Sequence, residues 1–404
     1  MTMGTDRRSA PTHVIPGVAL GDRPGSFDIT LRCGEIAAIE VAATRDKPCW
    51  LALPGFVNMH AHADRSFVSP DTRPASLEEA VRAAKLQRAS TSSEDIAARA
   101  RLLFDRAASH GTLRVRTHTD VDPAVGMRAI EGVRVAAAEV AGFMDVEIVA
   151  FANAANDPLR SGCLDLMRTA VARGATLLGG VPAMYDKPWE STEALLDLAT
   201  ELNIGVDLHL DEHLDGASAL LDSLARAVVE RGLQGRVTAS HACAVSTLDI
   251  DQARRVLENV ARAEMTLVVL PELNLYLQQR GEPIPRQRGL APVLEALRAG
   301  VAVRLGTDNV RDWFFPFGDA DLLESGYVAA LAAHLDTPVD LMAALCDGRR
   351  SLTAGEPADL VLIRAGSLDD ALARRPAERV LLRKGHRAGP CAYGSVDCPP
   401  LQGL

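Results

Sequence analysis

The sequence predicts an α/β fold: a (β/α)8 TIM barrel carrying a small β-sandwich domain built from both chain ends. Three observations predict it. Short apolar runs recur along the middle of the chain with helical patterns between them; side chains suited to metal binding close several of those runs; and both chain ends read as strands and turns instead of strand–helix units. At 404 residues one barrel with an appendage fits the length, because such barrels commonly exceed 250 residues as single units.

From about residue 10 to 53, PGVALGDRPGSFDITLRCGEIAAIEV alternates apolar residues with Gly and Asp turns, the pattern of small antiparallel strands. The stretches PADLVLIRAGS and ERVLLRKGH near the other end have the same character and are expected to pair with it. The expected division is 1–53 and 353–404 for the two parts of the β-domain and 54–352 for the barrel. Eight strands are expected in the barrel, at LALPGFV, TLRVRTH, VEIVAF, ATLLGGV, IGVDLH, GRVTASH, TLVVLP and VAVRLGT. The intervening segment TSSEDIAARARLLFDRA opens on Ser and Thr caps, continues with acidic residues and carries an apolar stripe at helical spacing. The passage LMAALCDGRRSLTAGEPADLVLI then leads back to the β-domain.

Composition narrows the function. A net charge of −10 argues against a nucleic-acid partner, whose phosphates call for a basic patch, and points to a small-molecule substrate. The polar start MTMGTDRRSAPTH lacks a secretory apolar core, and no apolar run approaches the ~18 residues of a membrane helix; a cytoplasmic location without membrane contact is expected. Seven cysteines without a Cys-x-x-Cys pair read as reduced thiols, with Cys243 nearest the expected chemistry.

That chemistry begins at HAH in LPGFVNMHAHAD. Side chains two apart on a strand share a face, so His60 and His62 can reach one ion. His209 in VDLHLDEH and Asp308 in GTDN also close strand-like runs, where parallel barrels place their active residues. Three imidazoles and one carboxylate leave a position for water, the arrangement of a catalytic site, and the ion would bring that water's pKa from 15.7 toward ~7. Glu212, three residues past His209, is placed to shuttle a proton, and Asp308 could accept one first. His241 in VTASH reads as either a fifth ligand or a hydrogen-bond partner of the attacking oxygen. His118 in RVRTHTDVD and Asp64 in the first motif are expected to support the ligands without binding the ion.

These motifs resemble those of the amidohydrolase superfamily, and within it the cytosine deaminase-like group. LPGFVNMHAHAD, RVRTHTDVD, IVAF, VDLHLDE, RVTASH, LPELNLYLQ and GTDNVRDWFFPFG follow the group's order over nearly the whole chain. The resemblance implies one divalent ion, zinc or iron, on His60, His62, His209 and Asp308, with His241 polarising the attacking hydroxide and Glu212 shuttling the proton. Binuclear relatives use a carbamylated lysine at the fourth strand, where ATLLGGV has none. The implied reaction is hydrolytic loss of ammonia from cytosine or a related amino-substituted heterocycle.

Two positions depart from that pattern. Asn153 stands where the group has glutamine, and Asn309 where it has a second aspartate. Both are expected to bind substrate, with Trp313, Phe314 and Phe315 as an aromatic wall; Phe314 occupies the place of the group's pocket tryptophan. DNVRDWFFPFG also resembles N-isopropylammelide amidohydrolase, so release of an alkylamine from a triazine is the alternative, with a non-catalytic binding barrel as the third. Family members are often oligomers, so a homo-oligomer is expected.

Overall fold

Alternation decides the first strands. Between Phe27 and Arg32, the apolar Phe27, Ile29 and Leu31 are buried and the polar residues between them are less so, the period of a strand covered on one face. The protein is described here from a computed structural model covering residues 12–43, 47–68, 74, 77–287 and 289–390. Its strands, in chain order, are β1 (Thr12–Leu20), β2 (Phe27–Arg32), β3 (Glu35–Val41), β4 (Leu51–Pro54), β5 (Phe56–Ala61), β6 (Thr112–Val121), β7 (Asp145–Ala152), β8 (Leu177–Gly180), β9 (Gly205–Leu210), β10 (Val237–His241), β11 (Thr266–Val269), β12 (Ala302–Leu305), β13 (Leu360–Ile363), β14 (Arg379–Arg383) and β15 (His386–Ala388).

Strands from both chain ends form one seven-stranded sheet in the order β15-β14-β13-β4-β1-β2-β3. Its apolar side chains, among them Ile15, Ile29, Trp50, Leu360 and Leu382, make a core of their own. Most pairings are antiparallel as expected, but β1 and β4 run parallel. The run LALPGFV, expected as a single barrel strand, is divided. Gly55 N–H donates to Asp359 O in the small sheet, and the next amide, Phe56 N–H, donates to Gly111 O in the barrel. The backbone thus changes partners within one residue, which apolar patterning cannot show.

The other eight strands, β5 to β12, form the parallel sheet, each hydrogen-bonded to the next in chain order. Helices connect them. The Ser93–Ser109 helix begins where the TSSED signal predicts it, with the Ser92 side chain accepting from Asp95 N at 3.1 Å. It buries Ile96, Ala100, Leu103, Phe104 and Ala107 against the barrel, a stripe at helical spacing in which each large side chain contributes ~1.5–3 kcal/mol.

Closure of the barrel occurs at β5 and β12. Asp308 N–H donates to His60 O at 2.9 Å, and Ala61 and Asp308 form a parallel bridge. Beneath it, the buried Asn58 side chain donates to Thr307 Oγ1 at 2.8 Å and accepts from Thr307 N at 3.1 Å and His60 N at 3.2 Å. Gly306 allows the approach, since a Cβ there would lie 2.6 Å from His60 Cβ and 2.9 Å from His60 N. Two expected ligands are therefore joined through their backbones before any ion is considered.

Asn58→Ala removes three buried hydrogen bonds and orphans two amide N–H groups at this seam. It is expected to destabilise the protein by about 2–4 kcal/mol in urea unfolding. A change below about 0.5 kcal/mol would show that the seam holds without the side chain.

Candidate active site

At the C-terminal ends of β5, β9 and β12, His60, His62, His209 and Asp308 converge, all buried, with ligand atoms within 4.8 Å of one another. Nε2 of His209 lies 3.2 Å from Nε2 of His60 and 3.1 Å from that of His62; Asp308 Oδ1 is 3.2 Å from His62 Nε2 and 3.7 Å from His60 Nε2.

Hydrogen bonds decide which nitrogens of the first pair face this point. Ser240 Oγ donates to Asp207 Oδ1 at 2.9 Å, so at 2.9 Å from His60 Nδ1 it accepts that ring's N–H. His62 Nδ1 lies 3.0 Å from the His118 carbonyl, which can only accept. Both rings consequently turn a bare Nε2 lone pair inward. Burial, reinforced by neighbouring cationic or imidazole groups, holds His60, His62 and His209 well below the usual histidine range, so they are neutral. Burial also drives Asp308 well above the usual carboxylate range, with Glu212 adding to the effect, and neither Asp308 oxygen has a hydrogen-bond partner among the described residues.

The bare Nε2 atoms of His60 and His62, each about 3 Å from His209 Nε2 and beside the Asp308 carboxyl, form a cluster of donors that one cation would satisfy together. Four donors at the ~2.0–2.1 Å of zinc ligation would stand about 3.3–3.4 Å apart in a tetrahedron, close to the separations seen. These residues fit a metal ion.

Support comes from below. Asp207, two residues before His209 and on the same strand face, accepts from Ser240 and from Arg116 Nη1 at 2.9 Å, and its Oδ1 lies 3.3 Å from His118 Nε2. Burial acts to raise Asp207, but His118 and Arg116 hold its carboxyl below the usual range. His118 stacks on His60 with ring centroids 3.9 Å apart. His60, His118 and Asp207 also lie close enough to share an ion. Stacking and the Arg116 pairing make that group a brace for His60. Asp64 accepts Asp120 N–H at 3.0 Å, and burial together with Asp120 raises it to about 7.

Above the cluster opens a cavity lined by His62, His209, Glu212, His241 and Asp308 on one side. The acidic residues near Glu212 have separate tasks. Asp211 accepts from Leu220 N and Leu221 N, and Asp215 caps the turn at Gly216–Ser218, which leaves Glu212 as the one facing the cavity. Burial pushes Glu212 up to about 7 against the opposing pull of Arg65. Its Oε1 is 3.7 Å from His241 Nδ1.

His241 has φ of 73° and Asp308 of 56°, conformations that cost side-chain-bearing residues energy and aim both into the cavity. Asn274 Nδ2 donates to His241 Nδ1 at 3.1 Å, which leaves the ring proton on Nε2, 3.8 Å from Asp308 Oδ2. Burial, then His118, lowers His241 to about 3, so it is a neutral donor. Cys243 is buried, and burial followed by Glu212 keeps it a thiol.

The residues expected to bind substrate are placed differently from one another. Asn153, Asn309 and Phe314 line the cavity. Asn153 is already committed, donating to Asp120 Oδ1 at 3.1 Å and Asp122 Oδ2 at 2.8 Å, and Asn309 Nδ2 donates to Asp312. Trp313 is not among the lining residues; its Nε1 donates to Gln87 Oε1 at 2.8 Å. Phe315 packs against Tyr276 instead of the cavity. Reading the sequence did not single out Arg65 and Arg88 in the wall, nor Asn58, Asp207, Ser240 and Asn274. Strand periodicity from His209 could have found Asp207.

Asp308→Asn removes a buried carboxyl that is costly to ionise, so it is expected to leave the metal-free protein at least as stable as the parent in thermal unfolding. It should also abolish the several-degree rise that Zn²⁺ produces in the parent. A rise equal to the parent's would place the ion elsewhere.

Three comparisons with known proteins bear on the family. The model of the Amidohydrolase family matches residues 94–393. A pterin deaminase of Rhizobium rhizogenes is 31% identical over 368 residues, covering 86% of this chain and 82% of that protein. The N-isopropylammelide isopropyl amidohydrolase of Pseudomonas sp. (strain ADP) is 26% identical over 409 residues, 92% of this chain and 96% of that protein. Among solved structures, 5-methylcytosine deaminase from Klebsiella pneumoniae, liganded with phosphonocytosine, superposes with a TM-score of 0.84 at 27% identity, covering 93% of this chain and 97% of that one. With the family model spanning most of its length, the chain belongs to the amidohydrolase family.

Proposed function

We propose that this protein is a metal-dependent hydrolase that releases ammonia from an amino-substituted nitrogen heterocycle. The observation that carries the proposal is the buried His60, His62, His209 and Asp308 set at the floor of a cavity that a protonatable Glu212 and a neutral, N–H-donating His241 also line. The relatives act on pyrimidine, pterin and triazine rings by their names, and they support a ring substrate while leaving its identity open.

His60, His62, His209 and Asp308 would hold one divalent ion, zinc or iron. When bound, it supplies Lewis acidity and a water acidic enough to attack at neutral pH. Glu212, poised near 7, takes one proton from the attacking water and delivers it to the ring nitrogen, then carries the second, from the oxygen now on carbon, to the leaving amine. His241 Nε2–H donates to the oxygen that gains charge on the tetrahedral carbon. The C–N bond breaks with its electron pair leaving on nitrogen, water supplies the oxygen, and the products are ammonia and the ring lactam. Phe151 and Phe314 give the cavity apolar faces for a planar ring.

A second reading keeps these roles but releases an alkylamine from a triazine, and it draws on the match to the N-isopropylammelide enzyme over nearly the whole chain. A panel of cytosine, 5-methylcytosine, isocytosine, a pterin and N-alkylated aminotriazines, scored for ammonia and alkylamine, separates the two. Ammonia from pyrimidines or pterins supports the first reading, alkylamine from triazines the second, and silence with metal bound a binding barrel.

Glu212→Gln should lower kcat by ~10²–10⁴ with metal content unchanged. A variant of near-parental rate would remove Glu212 from the chemistry. Asn274→Leu frees the His241 tautomer and should cost ~10–100-fold in kcat/KM; an unaltered value would show that Asn274 does not set it.

A further inference from the structure

Arg65 follows the first ligand motif directly and lines the cavity, with its guanidinium 4.8 Å over the Phe314 ring. Its side chain is 12% exposed, and its buried Nε has no hydrogen-bond partner among the described residues. Two carboxylates face it beyond hydrogen-bond length: Asp120 Oδ1 at 3.8 Å and Asp312 Oδ2 at 3.7 Å.

Both carboxylates are engaged by other donors. Asp120 accepts from Asn153 and, at 3.0 Å, from Arg88 Nη1; Asp312 accepts from the amides of Phe314 and Phe315 and from Asn309. Arg88 shows the contrast, since it donates to both Asp120 and Asp122 within 3.1 Å. One guanidinium of the wall is thus hydrogen-bonded to protein carboxylates, while the other meets its two facing carboxylates only at 3.7 and 3.8 Å. A buried donor without a partner is costly, and a planar fork of N–H groups is the group best suited to take two oxygens, or an oxygen and a neighbouring acceptor, in one plane.

We propose that Arg65 reads an anionic oxygen on the substrate, either a ring carboxylate or an ionised lactam oxygen, so that the protein prefers aminated heterocycles bearing an acidic group. This rests on the deaminase reading above. Phe314 holds the guanidinium flat, and the acidic edge of the ring docks there while the amine-bearing carbon faces Glu212 and His241.

The test uses the metal-loaded full chain and matched substrate pairs: cytosine with 5-carboxycytosine, and a pterin with its ring carboxylate. The acidic member should be favoured by ~10-fold or more in kcat/KM. Arg65→Met should raise its KM by ~10–100-fold, with a smaller effect on kcat, and erase the preference, and Arg65→Lys should restore part of it. If the anion is instead an ionised lactam, the pairs behave alike, but KM of the parent protein falls as pH rises through the substrate's own ring N–H ionisation, and Arg65→Met abolishes that fall. Equal rates within pairs together with no such pH effect, or an Arg65→Met variant that keeps the preference, would overturn the proposal. Calorimetric binding of the deaminated ring carboxylates to parent and Arg65→Met proteins needs no turnover. Absence of ammonia from every ring refutes the deaminase reading, while tight binding that is lost in the variant still upholds Arg65 and equal binding refutes it.

Discussion

The structure turns on one electrostatic constraint: the buried carboxyl of Asp308, with no hydrogen bond among the described residues, faces the inward nitrogens of three neutral imidazoles. An isolated carboxylate in such surroundings is strongly disfavoured, and the bare Nε2 atoms of His60 and His62 crowd within 3.2 Å of His209 Nε2. A divalent cation would satisfy all four groups together. The hydrogen bonds from His60 to Ser240 and from His62 to the His118 carbonyl determine which ring nitrogens are available to it.

Closure of the barrel creates this constraint. The Asp308 amide bonds to the His60 carbonyl across the seam between the first and last barrel strands, with Asn58 tying the same strands and Gly306 allowing their approach. Positive φ at Asp308 and His241 then turns both side chains into the cavity. Rigid strands hold the proposed ligands and Asn274 orients His241, while Glu212 stands on a loop pinned by Asp211, as suits the proton-carrying role proposed for it.

Much of this was legible in the sequence, for physical reasons that also explain the gaps. Strand periodicity places His60 and His62 on one face, and the recurrence of apolar runs reveals the barrel, because both depend on local chain geometry. Pairing between distant segments has no local signature. The parallel pairing of β1 with β4, the change of sheet at Gly55 and the Asn58 seam depend on partners far along the chain. Side-chain direction in loops is similarly hidden, so nothing in WFF distinguishes Trp313, bonded to Gln87, from Phe314 in the cavity wall. Arg65 reads in sequence as an ordinary charged residue; only the prior engagement of Asp120 and Asp312 makes its donors informative.

The most direct test of the metal centre is anomalous diffraction from crystals of the protein loaded with Zn²⁺, recorded above and below the zinc absorption edge. A single peak should lie ~2.0–2.2 Å from Nε2 of His60, His62 and His209 and from a carboxylate oxygen of Asp308. A peak at any other group of residues, or none at these four, would contradict the account.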